Sequence, residues 1–505
     1  MPSGRHESLW IATAPGTRHP PLSGTVEADV AVVGAGIVGV TAAYLLKKAG
    51  KTVALLDRQR LLSSVTGKTT AKVTSQHGVA YQKLVKRFGE EDITRHAWAN
   101  EDAIRFVEKT ANDLGIDCHW KRAPNYVYTT DQKHLEDLRK EADLSLKLGL
   151  PASFTADTDL PFPVKGAVRF DQQAHFHPRE FLLGLVDRIK GNGSHVHEDS
   201  PVTAIEDGEP CKVTTPGGTV NARSVIVATH IPILDKLGYT VRMVPKREYG
   251  IACPVGRSDI KGMYVSMDDP RRSVRPFDGP DGPMLVFVGE THPEGERAGE
   301  DHVGRLASFA RESFGAGEPS HHWSSQDSYP LDDLPLVGTH GARSKNTWAA
   351  TGFRAWGMTQ GIVSARLLAD RVLGNDNPLA DLYDPFHAKR IVKELVTPKL
   401  VEGGVTAVRQ LVVERLKPQA KGELVPGMGR VESRGLHKVA VYKDRDGREH
   451  CVSASCTHMG CILAFNPMET SWDCPCHGSR FGIDGEVLHG PATEPLKPHM
   501  DQDEA

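Results

Sequence analysis

The sequence predicts an α/β (α+β) protein in which a second α+β domain is interleaved into the first, with a small all-β domain at the C-terminus. Three observations carry that expectation. A valine-rich run at 29–33 enters Gly34-Ala35-Gly36-Ile37-Val38-Gly39, followed by a helical stretch and a second apolar strand ending at Asp57. Strand–glycine loop–helix character returns at 323–373 after a long stretch of different pattern. Two short cysteine/histidine runs lie near the C-terminus, Cys456-Thr457-His458-Met459-Gly460-Cys461 and Cys474-Pro475-Cys476-His477-Gly478-Ser479.

The 505 residues suffice for two or three domains. A net charge of -3 gives no global field for nucleic acid or an anionic membrane. No apolar run reaches the length of a membrane span, and residues 1–29 lack a signal-peptide core, so the expectation is a cytoplasmic protein. Of 8 cysteines, four fall in the two runs; Cys118, Cys211, Cys253 and Cys451 are scattered and read as buried thiols.

In chain order, residues 1–28 read as an extended arm, because Pro15, Pro20 and Pro21 oppose a helix. The next block has the arrangement of a dinucleotide site. Gly34 permits a tight turn, Gly36 lets backbone approach a pyrophosphate, Gly39 lets helix pack on strand, and Asp57 accepts ribose hydroxyls. The pyrophosphate belongs on the helix N-terminus, where free N–H groups favour anions. FAD is favoured over NAD by the N-terminal position and by the hydroxyl-rich stretch 63–77. A second fingerprint for NAD(P)H is absent.

Helices are expected at 81–90 and 100–114 from apolar spacings of three and four, then a strand at 125–129 and a long charged helix at 132–148. A strand at 167–170 precedes a helix opened by Pro178 and running to 189. Strands are then expected at 196–205, 212–215 and 220–229. Residues 241–322 alternate short strands with Gly/Pro/Asp turns, and read as the sheet roofing a substrate pocket. A strand at 347–351, a glycine-rich loop and a helix at 360–373 then present a second helix N-terminus to the flavin edge. Residues 407–416 fit an amphipathic helix, and 418–422 a flexible joint.

Residues 8–375 resemble the D-amino-acid oxidase/sarcosine oxidase family of FAD enzymes. The match rests on the fingerprint glycines and Asp57, then Thr66-Gly67-Lys68-Thr69-Thr70-Ala71, Ala228-Thr229, Asp332 with Pro335, and Gly352-Phe353 with Gly357-Met358-Thr359. It implies that these residues hold FAD, and that Val202 contacts adenine through its backbone. Asp333 stands where the family prefers glycine, and no cysteine stands at the flavin-attachment positions of covalent members, so non-covalent FAD is expected. The resemblance divides the chain into an arm (1–28), an FAD-dependent oxidoreductase (29–375), a linker (376–423) and a C-terminal domain (424–505). FAD segments fall at 29–80, 165–232 and 323–375, and the substrate domain at 81–164 and 233–322.

Each C-terminal run offers a thiolate and an imidazole, as a mixed-ligand [2Fe-2S] cluster requires. Zinc is the competing reading, but the C-x-H spacing is tight for zinc and Cys461 and Cys476 would be left over. These boxes resemble the Rieske family over about the last 80 residues. The resemblance makes Cys456, His458, Cys474 and His477 the ligands, pairs Cys461 with Cys476 in a disulfide, and has Ser479 donate to a cluster sulfur. Phe481 replaces the tyrosine of high-potential members, which implies a lower potential.

The expected chemistry is oxidation of a small amine or amino acid by hydride transfer to flavin. Electrons would leave through the cluster to a one-electron carrier protein or quinone. Arg247, Tyr249, Arg354 and Trp356 are the candidate catalytic residues, an arginine being suited to clamp a carboxylate. The competing readings are an oxygen-using oxidase with a peripheral cluster, a reductase or monooxygenase component, and a redox sensor.

Overall fold

The computed structural model describes residues 4–235, 238–256, 259–295, 300–395, 423–435 and 437–499. The sequence-expected helix at 407–416 and the joint at 418–422 lie outside the described residues. None of the described helices is long and apolar enough to cross a membrane.

The first sheet is eight-stranded, with Gly24–Val33 at its centre between Val53–Leu56 and Gly218–Val227, all parallel. Its central strand is buried over Val30–Val33 because both faces are covered. Such strands read as continuous apolar runs rather than alternating ones. On one face lie the helices Ile37–Lys48 and Gly357–Leu373, packed so closely that a Cβ at Gly361 would sit 2.9 Å from Ile37 Cγ2.

The second sheet has nine strands. His321–Pro330, Met243–Pro254, Gly282–Pro293 and Arg272–Gly279 run antiparallel in that order at one end. The last three form the roof anticipated from residues 241–322, whereas His321–Pro330, expected in the FAD-binding part, pairs with Met243–Pro254 in the same sheet. The C-terminal residues make a three-stranded and a four-stranded sheet, Gly429–Ser453 and Ala464–His489 in outline, around Trp472 and Phe481.

The N-terminal segment differs from the expected arm. Leu9–Thr13 is a helix whose N-cap, Ser8, accepts the N–H of Ile11 at 3.2 Å. Pro15, Pro20 and Pro21 all lie beyond its last turn, so they oppose helix only from residue 14 onward. Trp10 is fully buried, and its indole N–H donates to Thr69 O at 2.6 Å. Two further boundaries shift. The helix expected at 100–114 begins at Glu90, where three acidic residues occupy its first turn. The strand expected at 196–205 is broken into His195–His197 and Ala204–Glu206. Between them Glu198 turns inward to accept the N–H groups of His19 and Leu61 at 2.8 Å each.

Candidate active site and cluster-binding loops

A large cavity lies between the parallel sheet and the roof, reaching from Asp57 and Val202 at one end to Glu248 and Trp356 at the other. At the first end Gly34 takes φ +101°, and a Cβ there would meet Ala228 O at 2.5 Å, so only glycine fits the turn. The helix Ile37–Lys48 starts at Gly36 with no side-chain cap, as does Gly357–Leu373 at Trp356. Both termini open on the cavity and turn first-turn N–H groups toward it, as a pyrophosphate and a flavin edge require; that of Ile37 donates to Thr66 Oγ1 at 3.1 Å. Asp57 accepts the N–H of Ala35 at 2.8 Å and of Gln59 at 2.9 Å. Burial nevertheless pushes its carboxyl up to about 6. The residues fit FAD.

At the other end the roof strand Met243–Pro254 alternates. Glu248 and Gly250 face the cavity, while Arg247 and Tyr249 face away. The indole of Trp323 lies across Gly250, where a Cβ would meet it at 2.3 Å, and its N–H donates to Lys68 O at 3.1 Å. Glu248 accepts from Thr291 Oγ1 at 2.9 Å and from Tyr329 Oη at 3.3 Å. Burial raises its carboxyl above the usual range, opposed by the charge of Arg271. The Arg271 guanidinium lies 5.8 Å from the centre of the Trp356 ring. A Cβ at Gly78 would stand 3.2 Å from Arg271 Nη2. Lys72 also reaches the cavity, donating to Tyr264 O at 2.6 Å, and burial holds its amine well below its ordinary pKa.

Of the residues expected to bind FAD, Gly34, Gly36, Asp57, Thr66, Thr69, Thr70, Val202, Ala228, Thr229, Phe353, Gly357 and Met358 line the cavity. The others stand behind it. Gly39 lets the helix approach, since a Cβ there would be 1.9 Å from Gly34 O. Gly67 O accepts from Ser8 Oγ, Ala71 turns at φ +58°, and Thr359 Oγ1 donates to Thr74 O at 2.9 Å. Gly352 makes a turn at φ +82° against Pro330. Asp332 is held by Arg390 through contacts of 2.6 and 2.9 Å, which leaves both its oxygens engaged.

Among the expected catalytic residues, only Trp356 lines the cavity. Arg247 is 1% exposed and bonds Glu294, Asp473 and Ser324 on the far side of its strand. Tyr249 bonds His292 at 3.2 Å and stacks on His302 there. Arg354 turns at φ +53° to donate to Asp333 O at 3.2 Å. These three are structural because a one-residue step along a strand, or a tight turn, reverses where a side chain points. Glu248 and Arg271 were missed; the period-2 face shared with Gly250 was the signal for the first, and nothing in the sequence marked the second.

The C-terminal boxes fold as matching loops. In each, the first cysteine's carbonyl accepts the N–H of a glycine four residues on, Gly460 at 2.9 Å and Gly478 at 3.0 Å. Both glycines take positive φ, +74° and +78°. The His458 and His477 rings lie 5.1 Å apart at 87°. Their Nδ1 atoms are buried without a hydrogen-bond partner among the described residues. Two orphaned imidazole nitrogens and the buried thiols of Cys456 and Cys474 fit the donor set of a [2Fe-2S] cluster. Cys461 and Cys476 form a disulfide, and their sulfurs lie within 4.8 Å of Cys474 Sγ. Ser479 Oγ accepts the N–H of Ala492 at 3.0 Å, leaving its proton to donate. Of the other cysteines, Cys118, Cys211 and Cys253 are buried and Cys451 is half-buried.

Comparison with known proteins agrees with both halves. The family model for FAD dependent oxidoreductase matches residues 29–371, and that for the Rieske [2Fe-2S] domain matches residues 417–500. The chain belongs to the FAD-dependent oxidoreductase family and carries a C-terminal Rieske domain. YhfW of Bacillus subtilis (strain 168), described as a Rieske 2Fe-2S iron-sulfur protein, is 32% identical over 498 residues, 97% of each chain. Gamma-glutamylputrescine oxidoreductase of Escherichia coli (strain K12) is 25% identical over 240 residues, 46% of this chain and 56% of that one. Among solved structures, glycine oxidase from Geobacillus kaustophilus superposes with a TM-score of 0.60 at 18% identity, over 70% of this chain and 96% of its own. L-proline dehydrogenase from P. horikoshii gives 0.59 at 17% identity, over 73% and 99%. FAD and a [2Fe-2S] cluster are therefore the cofactors of this oxidoreductase.

Proposed function

We propose that this FAD-dependent oxidoreductase dehydrogenates a small amine or amino acid and passes the electrons through the Rieske cluster to a one-electron carrier protein or quinone. When bound, FAD supplies a two-electron acceptor and the cluster a one-electron outlet. The observation that carries the reading is the pair of opposite charges at one end of the cavity, Glu248 and Arg271, beside the Trp356 ring. Arg271 is placed to clamp a substrate carboxylate, in the role the sequence suggested for an arginine, Arg247 or Arg354. Glu248 is placed to accept an N–H from the substrate amine and hold that proton. Trp323 and Trp356 supply apolar walls that exclude water, and Gly250 leaves the space the Trp323 indole occupies. A cytoplasmic setting is part of the proposal, in keeping with the buried free thiols of Cys118, Cys211 and Cys253.

The test is an anaerobic panel of amines, amino acids and hydroxy acids mixed with the holoenzyme while flavin absorbance is followed. Bleaching by amines or amino acids alone supports the proposal. Bleaching by hydroxy acids alone, or only by NAD(P)H, refutes it.

A further inference from the structure

The wall of the FAD cavity at its Asp57 end is not made by the oxidoreductase unit alone. Leu488, His489, Gly490, Ala492 and Thr493, all from the Rieske domain, line the cavity together with Asp57, Ser200 and Val202. Three contacts fix that wall. Arg58 Nη2 donates to Val487 O, His230 Nδ1 lies 3.1 Å from His489 Nε2, and a Cβ at Gly490 would be 3.3 Å from Ile233 Cγ2.

A second set of contacts holds the same domain from behind, on the reverse of the roof. Arg247 reaches between Glu294 Oε1 at 2.9 Å and Asp473 Oδ2 at 3.0 Å, with all three side chains no more than 2% exposed. Asp473 is in turn held by Asn466 at 2.8 Å and Arg480 at 3.1 Å. One strand along, Gln326 Nε2 donates to Gly478 O at 3.0 Å. Removing the arginine would leave Glu294 buried without its cation and Asp473 held from its own domain alone, by Asn466 and Arg480, so the contact that ties this domain to the roof is lost.

We propose that the Rieske domain is the door of the FAD cavity, latched by Arg247, so that FAD leaves only when this domain undocks. FAD binding and domain docking are then one coupled equilibrium, and each must stabilise the other by the same factor. The inference does not depend on which substrate is oxidised.

Two measurements test it. FAD release from diluted holoenzyme is followed by flavin fluorescence for wild type, Arg247→Gln and His489→Ala, with the cluster's visible spectrum as the control for an intact Rieske domain. Release at least tenfold faster in Arg247→Gln, together with faster amide exchange at 487–493, is expected. Faster exchange with release within twofold of wild type overturns the proposal. Should Arg247→Gln not accumulate as folded protein, His489→Ala decides by the same twofold criterion. In wild-type protein, stripping FAD should speed amide exchange at 487–493; unchanged exchange would also overturn it.

Discussion

Arg271 and Glu248 carry the substrate reading, and each is testable alone. Replacing Arg271 by methionine removes a charged donor pair but keeps an apolar stem beside Trp356. A charged hydrogen bond is worth about 1.5–3 kcal/mol, so kcat/KM for an amino acid should fall about 10- to 150-fold. A substrate lacking the carboxylate should lose far less, and steady-state kinetics with the matched pair checks this. Glu248 makes a pH prediction. Burial raises its carboxyl, so the carboxylate that accepts the amine forms only above the usual carboxylate range. Activity should therefore rise with pH through a displaced acid limb of the kcat/KM profile, and Glu248→Gln should abolish that limb. The same residues mark where the sequence stopped being legible. Charge and spacing singled out the stretch around Arg247 and Tyr249. The face of its strand is set by packing on both sides, with Trp323 over Gly250 and the Rieske domain over Arg247.

Elements built from local signals were readable. The fingerprint turn, the strands Asn125–Thr129 and Thr347–Thr351 and the helix Pro178–Ile189 follow from glycine, β-branched and proline placement. The helix Leu9–Thr13 was not, because its stability is tertiary. Five residues are too few to hold a helix alone, and it survives by burying Leu9 and Trp10. Ser8 and Trp10 both bond backbone carbonyls of the loop that lines the cavity, at Gly67 and Thr69. Trp10→Ala should therefore cost about 3–5 kcal/mol in denaturant unfolding and weaken FAD retention as well. Unchanged flavin content in a destabilised variant would separate this helix from the cofactor site. The cluster loops were the most legible element, since the cysteines, histidines and both turn glycines are written within two runs of six residues.

At the scale of the molecule, the two cofactor sites back onto a single layer of sheet. Strand His321–Pro330 lines the cavity with Ser325, Gln326 and Asp327, and Gln326 also bonds the cluster loop at Gly478 O. Such proximity was beyond sequence reasoning, because it depends on docking two domains separated by a linker. It is what the proposed electron path requires, and the Arg247–Asp473 contact keeps it in place. The most direct test is to reduce the anaerobic holoenzyme with a substrate amine and record flavin absorbance and the EPR spectrum of the frozen sample together. Flavin bleaching accompanied by the signal of a reduced [2Fe-2S] cluster is the predicted result; a bleached flavin beside a cluster that stays oxidised would contradict it.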